Sequence, residues 1–171
     1  MKKVVSMLLL MCAFFSSCSE RCYHCDLGYA LIFEHSKKMQ QIYESKLSTI
    51  GGSFFGNHVN ELFVTLSHHQ AVDVDQARSM MIKGIDEFLS SINSDQKIRV
   101  FLRHYPFSYQ DIEYSMDFLS PDGHFLTNGS IAYVSLVKGT VYYDVYDENA
   151  QKLVDYFEEP YLEALEKVLK K

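Results

Sequence analysis

Residues 111–146, DIEYSMDFLSPDGHFLTNGSIAYVSLVKGTVYYDVY, carry the pattern from which the fold is read. From Asp111 to Leu119 the residues alternate. Ile112, Tyr114, Met116 and Phe118 share one face, and Asp111, Glu113, Ser115 and Asp117 share the other, which is the period of a half-buried strand. Ser120-Pro121-Asp122-Gly123 is a turn signal and Asn128-Gly129 a second. Residues 131–137 and 140–146 then read as two strands joined by Lys138-Gly139, a two-residue hairpin turn. Pairing across that turn sets Val134 opposite Tyr143 and Leu136 opposite Val141, with Ala132 and Val145 on the same core-facing side. Three successive strands without crossover helices predict an antiparallel meander, and an α+β domain rather than a doubly wound α/β one.

Upstream, 59–69 (VNELFVTLSHH) alternates as a further strand, with Leu62, Val64 and Leu66 inward. Asp73 then caps a helix, with Gln76 at the capping-box position. The apolar stripe of that helix runs through Val74, Ala77, Met81, Ile85, Phe88, Leu89 and Ile92. A short helix over 95–104 follows, closed by Pro106. Helical spacing also predicts a first helix over 26–48, capped by Asp26 and stopped by Gly51-Gly52, with Gly56-Asn57 as another break. Downstream, 149–159 and 161–170 read as helical, with Pro160 as a first-turn proline. The predicted order is α-β-α-(α)-β-β-β-α, a sheet of about four strands packed against helices.

The 171 residues suit one domain. At 47% hydrophobic and 22% charged the chain is globular in composition, not disordered. Its 16 Lys+Arg against 22 Asp+Glu give a net charge of −6, and no basic cluster stands out along the sequence. That balance argues against nucleic acid as a partner.

The first 18 residues, MKKVVSMLLLMCAFFSSC, are a leader. Lys2 and Lys3 precede an apolar run from Val4 to Phe15, which is shorter than the roughly 20 residues of a membrane-spanning helix. Phe15-Ser16-Ser17-Cys18 resembles the lipobox of bacterial lipoproteins, although Phe15 stands where Leu, Val or Ile is usual. The resemblance implies cleavage before Cys18 and acylation of that residue, with residues 1–17 as signal peptide, 18–25 as tether and 26–171 as the domain. It implies export to the bacterial cell envelope, with the membrane as partner through the acyl chains, more than one of which is needed for stable anchoring. Cys12 would be lost with the leader. The acidic domain is then expected to stand off the bilayer. The alternative is an ordinary cleaved signal peptide with Cys18 a plain thiol. The stretch from Ile92 to Phe118 is also similar to small secreted or lipid-anchored bacterial proteins, a resemblance that brings no activity with it.

Four groups of residues bear on chemistry. Cys22-Tyr23-His24-Cys25 is a C-x-x-C just before a helix, where the helix N-terminus lowers a thiol pKa and His24 can assist. It reads as a local disulfide, as a redox pair, or with His24 as a metal-handling group. A structural zinc site would need two further ligands, and no second cysteine pair exists. The seven histidines lack metal-ligand spacing, and His68-His69 would point to opposite faces of a strand, so they are expected to face solvent. Gly51-Gly52-Ser53-Phe54-Phe55-Gly56 fits no nucleophile, phosphate or dinucleotide loop and reads as a joint. The acidic runs Asp111/Glu113/Asp117 and Asp144/Asp147/Glu148 lack calcium-loop spacing and read as a solvated face.

The remaining feature is the hairpin face opposite the core, which holds Ile131, Tyr133, Tyr142 and Tyr146, with Asp144 across from Tyr133. Tyrosines on a sheet hold a glycan or peptide by stacking and hydroxyl contacts, unless the N-terminal helix covers them. The residues thus predict no catalytic centre, no metal and no cofactor. They predict a lipid-anchored binding or assembly module whose partner is an envelope protein or glycan. The rival readings are a thiol-disulfide oxidoreductase or a metal-handling protein using Cys22, His24 and Cys25.

Overall fold

A computed structural model describes residues 22–170, Asn128 excepted. The fold is α+β, as expected, but its sheet is larger than expected and mixed. Helix α1 (Tyr23–Tyr43) leads into strands β1 (Lys46–Phe55) and β2 (His58–His68). Helix α2 (Val74–Ser94) and the single turn α3 (Gln96–Arg99) follow. Strands β3 (Ile112–Phe118), β4 (Ile131–Val137), β5 (Thr140–Asp147) and β6 (Lys152–Pro160) come next, and α4 (Tyr161–Leu169) ends the described chain. The six strands lie side by side in chain order. All neighbours are antiparallel except β2 and β3, which α2 and α3 connect as a parallel pair.

The meander forms as read, with Val134 against Tyr143 and Leu136 against Val141, and it continues into β6. Asp73 caps α2 through a complete capping box with Gln76. Helix α1 ends at Tyr43, with Glu44 in the left-handed conformation, rather than running to residue 48. The larger corrections fall at both sheet edges. Gly51 and Gly52 do not stop a helix; they lie inside β1, and Gly56-Asn57 is the turn of the β1–β2 hairpin. Gly51 is required there because the Phe63 ring, on the paired strand, covers the space that a Cβ would fill. Residues 152–160, expected as helix, form β6 instead.

The described helices all pack on one face of the sheet. Leu62, Leu66, Tyr114, Phe118, Val134, Leu136 and Tyr143 line that face, and Ile32, Met39, Met81, Ile85, Phe88 and Ile92 come down from α1 and α2. Helix α1 covers β1 and β2, α2 covers β3 and β4, and α4 covers β5 and β6. No described helix lies on the opposite face.

Two buried polar contacts lock these layers together. His35 of α1 is fully buried, and its Nε2 lies 2.9 Å from the Tyr114 hydroxyl of β3. Gly84 of α2 leaves room for that hydroxyl, which a side chain at position 84 would strike. Burial holds the His35 imidazole down at about 4, Glu87 acting against this and Lys38 with it. The second contact centres on Glu159, at the end of β6. Its Oε1 accepts from Arg78 Nε at 2.5 Å and from the Tyr143 hydroxyl at 2.7 Å, and its Oε2 accepts from Lys167 Nζ at 2.5 Å. Burial alone would raise this carboxyl, but the three donors outweigh it and keep the group below the usual carboxylate range. Arg78 is held in turn by Asp75. The network joins α2, β5, β6 and α4.

Candidate functional site

Two places in the fold collect the residues singled out in the sequence. The first is the N-terminus of α1. Cys22 is its N-cap residue and supplies no side-chain cap, while Tyr23, His24 and Cys25 form the first turn. The C-x-x-C is therefore built into the helix rather than lying in a tether that extends to residue 25. Cys22 and Cys25 form a disulfide with Cα atoms 5.1 Å apart. His24 is buried, its ring stacked on that of Phe101 at 5.7 Å and edge-on to that of Phe54 at 6.0 Å, and its Nε2 lies 3.2 Å from Cys22 Sγ.

The ligand atoms of Cys22, His24 and Cys25 lie within 4.8 Å of one another. With the two sulfurs bonded to each other, the thiolates that a metal needs do not exist. In the reduced state the set would offer three ligands, one short of a structural zinc site. The helix N-terminus and His24 would both favour a Cys22 thiolate on reduction, so the geometry is compatible with thiol exchange as well as with a structural clamp.

The expectation that the histidines face solvent is corrected by the fold. His24, His35 and His68 are buried. His68 packs its ring against Phe118, and burial is the main cause that lowers its pKa. These residues were legible: His35 falls on the helical stripe of Leu31, Ile32 and Met39, all of them buried.

The second place is the uncovered sheet face. Tyr133, Tyr142 and Tyr146 all project there and are half-buried, and α1, which was the alternative cover, lies on the other side. Ile131 does not join them. A bulge at Ala132 shifts the phase of β4 at its start, and Ile131 turns into the core. The three tyrosines divide into two settings. Tyr146 stacks on Phe125 at 5.6 Å between ring centres and lines a shallow cavity of about 500 Å³ with His124, Thr127 and Glu148. Tyr133 and Tyr142 lie instead in rows that run across the strands.

The register makes these rows explicit. One reads Thr65, Ser115, Ser135, Tyr142 and Glu158, the Thr65 and Ser115 hydroxyls lying 2.9 Å apart. The next reads Ser67, Asp117, Tyr133, Asp144 and Asp155. Tyr133 is thus flanked by two carboxylates on the neighbouring strands. Both are half-buried, and burial raises both pKa values, with Asp155 adding to the effect at Asp144 and a hydrogen bond from Ser48 opposing it at Asp117. Asp144 Oδ1 is buried without a hydrogen-bond partner. Of the acidic runs expected to be a solvated face, Asp117 and Asp144 are therefore partly withdrawn from water. Sequence reasoning found the Tyr133–Asp144 pair but missed Asp117 as its third member, because the pairing of β3 with β4 was not specified.

Cys18, the expected lipid-attachment residue, lies outside the described residues. Among the described residues no helix is long and apolar enough to cross a membrane. No protein-family model, curated protein or solved structure matches this chain.

Proposed function

We propose that this chain is a lipid-anchored protein of the bacterial cell envelope, and that its uncovered sheet face binds a hydroxyl-rich ligand of the glycan class without catalysing a reaction on it. The observation that carries the ligand reading is the row Asp117–Tyr133–Asp144 across β3, β4 and β5. An aromatic ring offers a stacking platform for a sugar, and the carboxylates on either side accept from its hydroxyls. Burying a carboxylate oxygen without a donor costs stability, so a ligand hydroxyl that draws the half-buried Asp144 side chain outward supplies the donor its Oδ1 lacks. The hydroxyls of Ser115, Ser135 and Tyr142 in the adjacent row extend the same surface. The leader motif ending at Cys18 supports the anchor.

Calorimetric titration of soluble envelope glycan fragments tests the ligand. Binding by the wild type should be lost in Tyr133→Ser/Asp144→Asn with the melting temperature held within about 4 °C. Undiminished binding by that variant, or binding only of peptide fragments, would refute the assignment. The anchor is tested separately. Cys18→Ser should release the chain from membranes, and a mature N-terminus mapped anywhere but Cys18 would remove that part of the reading.

The C-x-x-C supports a second reading as a thiol-disulfide exchanger, because Cys22 stands at a helix N-terminus with His24 Nε2 beside its sulfur. It lacks what the sheet face has, a row of polar side chains to hold a ligand.

A further inference from the structure

Exposed large apolar side chains lie at both edges of the fold, with Tyr156, Phe157, Leu162 and Leu169 on β6 and α4 and a second group near the start of α1. Tyr23 on the first turn of α1 is 58% exposed, Val100 is 74%, Tyr105 is 52% and Phe55 at the tip of the β1–β2 hairpin is 81%. The elements that carry these positions, distant in sequence, adjoin in space. The ring of Tyr23 meets that of Phe101 edge-on at 5.9 Å. The start of β2 is tied to the same segment, Val59 N–H donating to the Phe101 carbonyl at 2.8 Å and Arg103 N–H to that of Val59 at 3.0 Å. The segment from 97 to 105, KIRVFLRHY, also carries Lys97, Arg99 and Arg103, all exposed. Arg99 lies over the Tyr105 ring, 4.3 Å from its centre. Asp95 is directed elsewhere, its carboxylate accepting from the backbone N–H groups of Lys97 and Ile98. Asp111 is turned to Ser108, with His104 at 3.4 Å. A chain of net charge −6 thus concentrates three cations among exposed aromatic and aliphatic side chains at one end of the domain.

That end is also the one the anchor reaches. Only three residues lie between Cys18 and Cys22, so the chain spans at most about 14 Å from one to the other. A headgroup layer accounts for roughly 5–8 Å of each leaflet. We propose that the surface formed by Tyr23, Phe55, Lys97, Val100, Arg103 and Tyr105 seats the domain on the bilayer, the aromatic and aliphatic groups entering the headgroup region and the cations meeting anionic lipid phosphates. This rests on the Cys18 anchor proposed above. It replaces the expectation of a domain standing off the membrane, because Lys97, Arg99 and Arg103 are exposed at the end nearest Cys22, where Asp26 is the exposed acid on the first turn of α1. Docked this way, the domain holds a fixed orientation, set by two contacts rather than one tether.

The chain contains no tryptophan, which makes a single installed indole an unambiguous reporter. Val100→Trp would be prepared in the full acylated chain and reconstituted in vesicles of phosphatidylcholine with phosphatidylglycerol, some carrying brominated acyl chains. Tyr156→Trp, beside Val72 and Ile131 at the far end of the sheet, serves as the control. The indole at 100 should be quenched by the brominated lipid and that at 156 should not. Adding Lys97→Glu/Arg99→Glu/Arg103→Glu should reduce the docked fraction roughly tenfold or more while the chain still sediments with the vesicles. Trypsin cleavage after Arg103 in the unaltered sequence should slow in the presence of the same vesicles. An acylated chain that sediments, yet shows equal quenching at both positions and unprotected Arg103, overturns the docking surface alone. A chain not acylated at Cys18 overturns both it and the anchor reading.

Discussion

Acidification from pH 7 to pH 5 should remove about 2 kcal/mol of folding stability through His35 alone, rising to about 3 kcal/mol near pH 4. The folded imidazole is held at about 4 by burial, against an ordinary value of 6.5. The unfolded chain therefore binds the proton first, and stability falls as pH drops through the interval from 6.5 to 4; above 6.5 the contribution is complete. Two observations support treating the site as one that resists protonation. The side chain has no exposed surface, and its Nδ1 has no partner to receive an added proton's hydrogen bond. The charges nearest it, Glu87 and Lys38, are paired to each other and largely cancel. In a domain of this size 2 kcal/mol corresponds to a fall of about 4–8 °C in melting temperature. The measurement is urea unfolding at intervals of half a pH unit, comparing wild type with His35→Gln, whose amide can still reach the Tyr114 hydroxyl. The variant loses some stability at pH 7, but its loss between pH 7 and pH 5 should be smaller than the wild type's by about 2 kcal/mol. His68 titrates in both proteins and drops out of the difference. Parallel curves for the two proteins would show that His35 is protonated in the fold at little cost, and that its burial is not what sets its behaviour.

Glu159→Gln should cost about 1–3 kcal/mol, because Arg78 loses one of its two carboxylate partners and keeps Asp75; Arg78→Met/Glu159→Leu should recover part of that loss in chemical denaturation, and a single variant costing under about 0.5 kcal/mol would mean the network is hydrated. Cys22→Ser/Cys25→Ser should shift the melting temperature by no more than about 2 °C, since the disulfide closes a very short loop and a serine at the N-cap supplies the side-chain cap that Cys22 lacks. Insulin reduction by the wild type that disappears in the same double variant would place thiol exchange ahead of ligand binding.

The elements legible in the sequence are those whose apolar and polar residues keep a regular period. β3 and the β4–β5 hairpin alternate cleanly, and α2 has both its capping box and its stripe. The two strands misread are the two edges of the sheet, β1 and β6. An edge strand is covered less completely, so its side chains are under weaker pressure to alternate. β6 is exposed along most of its length, and a bulge at Tyr156 breaks its register against β5, which leaves Leu153, Val154 and Phe157 at spacings a helix also satisfies. β1 hides its strand character in Gly51-Gly52, where the information lies in Phe63 on another strand. A break signal read along the chain is in this case a packing signal read across it.

The same distinction governs the sites. Cys22 and Cys25 were found because their relation is local, three residues apart on one turn. Tyr133, Tyr142 and Tyr146 were placed on one face because a two-residue turn fixes register across a single hairpin. Asp117 could not be joined to them from local spacing, since its position beside Tyr133 depends on a connection through residues 119–130 that does not fix register. The grouping of Lys97, Arg99 and Arg103 near α1 was invisible for a stronger reason. Lys97, Arg99 and Arg103 sit in a chain with an acidic total, and only the bridge from Val59 to Leu102 and the contact of Phe101 with Tyr23 set them beside the N-terminus of α1. Averaging charge over a sequence discards the property on which membrane orientation depends, which is the sign of the surface nearest the lipid.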